Sequence, residues 1–107
     1  MRMSPAIRIV VELIGGTGVA KDMILKAFAN GKSVVTANKA LLAERGDALF
    51  SLAREKSLPL LFEAAVAGAI PIIRTIRDGF VADRILCLLG IMNGTCNYIL
   101  TRMTEED

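Results

Sequence analysis

A lysine at the junction Val34-Val35-Thr36-Ala37-Asn38-Lys39 is the first residue whose type and place could do chemistry. A β-branched run ends there and a helical pattern begins. In parallel α/β sheets, ligands gather beyond the carboxyl ends of the strands. Lys39 at such an edge can neutralise a phosphate or polarise a carbonyl. It also falls in the first turn of its helix, where the macrodipole disfavours a cation by a few tenths to about 1 kcal/mol. An anionic ligand would offset that cost; the alternative is a solvated surface lysine. Gly15-Gly16-Thr17-Gly18 likewise follows a strand pattern and precedes a helical one. Glycine lets a backbone approach a ligand closely, and a helix N-terminus attracts anions. The run is neither GxGxxG nor a Walker A loop, so it is either a tight turn or a turn that lines a ligand.

Two further groups lie later in the chain. Glu63 stands in Leu60-Leu61-Phe62-Glu63-Ala64-Ala65-Val66-Ala67-Gly68-Ala69-Ile70. A carboxylate in apolar surroundings needs a partner. That partner is a salt bridge or a helix cap, or else a hard cation completed by carbonyls of the small-residue loop. Asn93-Gly94-Thr95-Cys96-Asn97 offers amide, hydroxyl and backbone donors near the end of a hydrophobic run. It can face a substrate, or it can be a turn with Asn or Thr as an N-cap.

The elements that must position these groups follow from periodicity. Ile7 to Ile14 reads as a strand that stops at Gly15-Gly16. Val19 to Ala29 is helical, closed by Asn30-Gly31. Ser33 to Thr36 is a second strand, Lys39 to Lys56 a second helix weakened at Gly46, and Leu58 to Phe62 a third strand. Short connections make this β-α-β-α-β, and right-handed crossovers make it a parallel three-stranded unit, about half of a doubly wound nucleotide-binding fold. After Glu63 the pattern changes. Pro71 opens a helix that Ile72 to Gly79 continues, Ile85 to Ile91 reads as a strand, Asn93-Gly94 as a turn or helix entry, and Tyr98 to Met103 as a last helix. A domain boundary falls near Gly68, dividing residues 1–67 from 68–107.

Composition narrows the function classes. The 107 residues carry a net charge of +2 with no basic stripe, which gives no support to nucleic-acid binding. There is no histidine, so His-dependent triads and His-based metal sites are excluded within this chain. The two cysteines, Cys87 and Cys96, form no CxxC pair and read as reduced, buried thiols of a cytoplasmic protein. No signal peptide is evident, and the apolar stretch from Leu58 to Ile73, interrupted by Glu63 and two prolines, is too short to span a bilayer. The apolar residues are 53% of so short a chain, which suggests surface meant for a partner or for another part of the same protein.

Taken in order, four segments resemble the central part of homoserine dehydrogenase: Val10-Val11-Glu12-Leu13-Ile14-Gly15-Gly16, Gly31 to Ala43 around Thr36-Ala37-Asn38-Lys39, Phe62 to Ile73, and Gly90 to Thr101 around Asn93-Gly94-Thr95. The resemblance runs from about Ile7 to the end. It implies an α/β protein: a partial Rossmann-like parallel sheet, the C-terminal half of an NAD(P)-binding domain, followed by the first helix and strand of a second, α+β catalytic and dimerisation domain. It implies interconversion of L-homoserine and L-aspartate 4-semialdehyde with NADP or NAD, on the route to threonine and methionine. Lys39 then lies beside nicotinamide and substrate as the candidate catalytic residue, Gly15 and Gly16 lie along the cofactor, and Asn93, Gly94 and Thr95 begin the substrate region. Glu63, Val66, Gly68 and Ile70 match a sodium site, with one carboxylate and main-chain oxygens.

The same resemblance implies that the glycine-rich pyrophosphate loop precedes Met1, and that the remaining acidic residues and second lysine which grip homoserine follow Asp107. Gly18 and Ala69 depart from the family pattern, the latter inside the cation loop. The chain is thus expected to be an internal piece, inactive alone and self-associating as a homodimer or higher oligomer. The alternative is a non-catalytic dimerising or binding remnant of a Rossmann-type oxidoreductase.

Overall fold

A computed structural model describes residues 3–68, 70–91 and 93–105. Its centre is a parallel sheet of three strands in the order β1-β2-β3: β1 Ile9–Glu12, β2 Ser33–Thr36 and β3 Leu60–Leu61. Helix α1 (Val19–Ala29) joins β1 to β2, and α2 (Lys39–Glu55) joins β2 to β3. The expected β-α-β-α-β unit is therefore present. Val10 pairs with Val34 and Glu12 with Thr36, while Val34 pairs with Leu60. Side chains alternate across a strand, so these residues share one face. On it, Val34 and Leu60 join Ala20, Ile24, Ala27 and Phe28 of α1 and Leu41, Leu49 and Ala53 of α2 in one core.

Strictly sequential strand order with right-handed crossovers puts both helices on the same side. The other face is bare: Ile9 and Val11 are 58% and 60% exposed, and Leu61 is also exposed. Parallel sheets are ordinarily covered on both faces, so this one offers an apolar surface.

The strands are shorter than the periodicity predicts. β1 ends at Glu12 because the Glu12 side chain takes the next backbone N–H groups into a turn. β3 has only two residues in the ladder. A 3₁₀ turn at Glu63–Ala65 follows, and the predicted Ile72-to-Gly79 helix divides into α3 (Ile72–Arg74) and a π turn at Thr75–Gly79. The last helix, α4 (Gly94–Glu105), begins four residues before the Tyr98 start that apolar spacing predicts. Asn93 sets that start, its side-chain carbonyl accepting the Cys96 N–H at 2.9 Å.

The expected strand at Ile85 to Ile91 does not form among the described residues, which are irregular and exposed throughout 84–91. Leu86 is 85% and Leu89 92% exposed. A strand needs a neighbour to satisfy its N–H and C=O groups, and this segment pairs with none of β1 to β3. The same lack of covering structure corrects the reading of the thiols: Cys87 and Cys96 are both exposed. The radius of gyration, 17.2 Å, exceeds the roughly 13 Å of a compact domain of this length. The core-bearing first part and the uncovered residues after 80 account for the difference.

Candidate functional site

The parallel strands β1 and β2 end level with each other, at the pair Glu12 and Thr36. Glu12 is only 2% exposed, and Thr36 and Asn38 are buried beside it. The Thr36 hydroxyl donates to Glu12 Oε2 at 2.6 Å, and Glu12 Oε1 accepts the N–H groups of Ile14 at 2.8 Å and Gly15 at 3.1 Å. Thr36 Oγ1 in turn accepts the Asn38 N–H at 3.1 Å. Asn38 completes the chain: its amide donates to the Gly16 carbonyl at 2.7 Å, and its Oδ1 caps α2 by accepting the Leu41 N–H at 3.1 Å. Among the described residues no buried side-chain polar atom is left without a partner.

This network sets the charge state of Glu12. Burial pushes its carboxyl up, but the Thr36 hydroxyl, the Gly15 and Ile14 N–H groups and the Asn38 side chain outweigh that and hold it below the ordinary carboxylate value. The result is a buried anion tied by hydrogen bonds to the turn after β1 and, through Thr36, to the turn after β2.

Gly15 and Gly16 have φ of 81° and 70°. That left-handed conformation is one glycine adopts without steric cost. The space where a Cβ would stand on either is open to 4 Å. A cavity of about 110 Å³ lies at this edge, lined by Leu13, Gly15, Ala37 and Asn38. Lys39 follows Asn38 as the first, exposed residue of α2. The structure thus brings the glycine pair and the lysine-bearing junction to one carboxyl edge, linked by the bond from Asn38 to Gly16. A larger groove of about 880 Å³ lies at the opposite edge, where α2 ends and β3 begins, and none of the predicted site residues lines it.

Glu63 stands in the 3₁₀ turn after β3. Its Oε1 accepts the Ile73 N–H at 3.0 Å and its Oε2 the Arg74 N–H at 2.9 Å. The carboxylate is therefore a cap for α3, one of the partners the sequence allows. The intervening loop carries two consecutive left-handed residues, Ala67 and Gly68, with φ of 56° and 60°. Val66 is half-buried and Ile70 exposed; Ala69 lies outside the described residues. Among the described residues no group of three His, Cys, Asp or Glu could hold a metal ion, so any cation here would depend on carbonyl oxygens. Asn93, Gly94 and Thr95 open α4, distinct from the β1–β2 edge, and the Asn93 side chain is engaged as the N-cap.

Glu12, Thr36 and Asn38 are the site residues that spacing did not single out. Each left a trace: Glu12 is the one charge in Ile9-Val10-Val11-Glu12-Leu13-Ile14, and Asn38 directly precedes a helical run. What periodicity could not supply was the register that sets Glu12 opposite Thr36.

Residues 1–63 match the family model described as the homoserine dehydrogenase NAD-binding domain, and residues 71–107 match the model described as homoserine dehydrogenase. The chain belongs to the homoserine dehydrogenase family. It is 56% identical over 98 residues to homoserine dehydrogenase of Neisseria gonorrhoeae, covering 92% of this chain and 22% of that protein. It is 56% identical over 103 residues to that of Pseudomonas aeruginosa, covering 96% of this chain and 24% of the relative. The crystal structure of a homoserine dehydrogenase from Thiobacillus denitrificans superposes with a TM-score of 0.88 at 53% identity, over 94% of this chain and 23% of that one. The chain thus spans under a quarter of the length of these relatives. Its first part belongs to an NAD-binding domain, its sheet is the expected partial Rossmann-like sheet, and the family is one of oxidoreductases. Among the described residues no helix is long and apolar enough to cross a membrane.

Proposed function

We propose that these residues form the cofactor-side edge of a cytoplasmic homoserine dehydrogenase that interconverts L-homoserine and L-aspartate 4-semialdehyde with NADP or NAD. The observation that carries this is the bonded junction of Gly16 and Asn38 beside Lys39, at the carboxyl edge where parallel α/β sheets bind ligands. Gly15 and Gly16 lie along the dinucleotide, which supplies or accepts the hydride when bound. Lys39 presents its ammonium to the cofactor and to the oxygen that changes between alcohol and carbonyl, holding charge or a proton there. Asn93, Gly94 and Thr95 open the substrate side. Residues 1–67 are the later half of the nucleotide domain and 68–107 the start of the catalytic and dimerisation domain; the interval between the two family matches supports a boundary there.

A sodium ion at Glu63, Val66, Gly68 and Ile70 is part of the same proposal. An oxygen-only donor set suits a hard cation. The loop carries two consecutive left-handed residues, Ala67 and Gly68, and each carboxylate oxygen of Glu63 keeps an acceptor direction beyond the N–H it already receives. Bound there, the ion would brace the loop between β3 and α3. The bare sheet face and the exposed residues after 80 support assembly, in the intact protein, with further chain and with a second copy as a homodimer.

The test is Lys39→Ala in the full-length protein that carries these residues, followed by NAD(P)H absorbance with L-aspartate 4-semialdehyde. Turnover should fall at least tenfold. Unchanged kcat and unchanged KM for both substrates would remove Lys39 from the site.

A further inference from the structure

Among the described residues Asn38 is the one side chain hydrogen-bonded both to the glycine turn and to the start of the lysine-bearing helix. Its two functional atoms do separate jobs. Oδ1 caps α2 through Leu41, and Nδ2 holds the Gly16 carbonyl at 2.7 Å. A cap alone needs only the oxygen, so the amide nitrogen has a purpose that Asp or Ser at an N-cap would not serve. The Asn38 backbone is itself held by Thr36 Oγ1, whose proton goes to the buried Glu12 carboxylate. That carboxylate also grips Gly15 from the other side. Gly15 and Gly16 are thereby held directly at two points, the Gly15 N–H by Glu12 and the Gly16 carbonyl by Asn38, and Thr36 ties those two residues together.

The turn needs such fixing. Two consecutive glycines have wide conformational freedom, and nothing within 4 Å packs where their side chains would be. No side-chain packing at those positions fixes the turn, so hydrogen bonds carry more of its shape. We infer that Asn38 is a positioning residue for the cofactor, its Nδ2 fixing the glycine turn in register with Lys39, with Thr36 and Glu12 as its support. This rests on the proposed cofactor-side role of the edge and adds a specific residue to it.

The experiment uses the full-length protein and measures KM for NAD(P)H, KM for L-aspartate 4-semialdehyde, kcat and melting temperature together. Asn38→Asp keeps the cap acceptor and sets an oxygen against the Gly16 carbonyl. It should raise KM for NAD(P)H about tenfold, the worth of one lost hydrogen bond, with KM for the semialdehyde nearly unchanged and any fall in melting temperature shared by Asn38→Ser. Asn38→Ser, which can cap but cannot span to Gly16, should behave alike and serves if the aspartate variant does not fold. Thr36→Val should move KM in the same direction, and Thr36→Ser should restore it. Wild-type KM for NAD(P)H in Asn38→Asp or Asn38→Ser would overturn the inference, as would a uniform loss of stability and of both KM values. An impaired Lys39→Ala beside a normal Asn38→Asp sinks only this inference; a normal Lys39→Ala sinks the reading beneath it.

Discussion

Glu12→Gln tests whether the edge is held by a charge. The carboxylate accepts three hydrogen bonds while 2% exposed, and bonds to a charged group contribute roughly 1.5–3 kcal/mol each against about 1 kcal/mol for neutral ones. In the glutamine variant the oxygen can still accept from Ile14 and Gly15. Its amide nitrogen replaces Oε2 and can only donate, so the Thr36 hydroxyl proton loses its acceptor. The expected loss is roughly 2–4 kcal/mol, or about 5–15 °C in melting temperature for a domain of 150–250 residues. The pH dependence separates charge from shape. Glu12 has its pKa lowered by folding, so its contribution is complete well above its ordinary value of 4.5 and is lost as pH falls through 4.5 toward the folded value. Thermal melts of wild type and variant should therefore differ most at neutral pH and converge in acid. A gap of constant size from pH 7 down to pH 3, or no gap at all, would refute the assignment of a structural anion at this edge.

Glu63→Ala should free the N-terminus of α3, costing about 1–3 kcal/mol locally; limited trypsin digestion should then cut faster after Arg74 and Arg77, and equal rates would show that the two backbone bonds do not hold the segment. A polypeptide of these 107 residues alone should self-associate and show no homoserine oxidation. Light scattering should give a mass above 11.5 kDa, reduced toward it by Leu86→Glu with Leu89→Glu, and a clean monomer or measurable turnover would contradict this.

Periodicity exposed the elements whose partners are close in sequence. The β1-α1-β2-α2-β3 unit was legible because each helix buries a stripe against strands on either side of it, so pattern and packing coincide. The failure at Ile85 to Ile91 has the opposite cause. Its aliphatic residues carry strand propensity, but propensity forms no ladder without a neighbouring strand, and α1, α2 and the sheet offer none there. Cys87 and Cys96 are exposed for the same reason, since burial belongs to the surroundings and not to the residue. Lys39 and the glycine pair were visible as types at a strand–helix junction. Asn38 was not, because its role depends on a bond across 22 positions to Gly16, and no local pattern encodes that distance.

The two parts of the chain differ in how much of their chemistry is already held in place. At the β1–β2 edge the groups that support Lys39 have their partners within residues 12–41: Glu12 on Thr36, Thr36 on Asn38, Asn38 on Gly16 and Leu41. At Asn93 to Thr95 the side-chain bond is a helix cap, the Cys96 N–H on Asn93 Oδ1, and residues 95–105 of the helix it opens are exposed. Preorganisation lowers the cost of binding, so the proposed cofactor edge can hold its shape before any other surface docks, whereas the proposed substrate side, exposed as it is, would take its shape from whatever covers it. Perturbations at Asn38 or Glu12 should consequently appear first in cofactor affinity. Perturbations on the exposed face of α4 should appear first in assembly, and only through assembly in turnover.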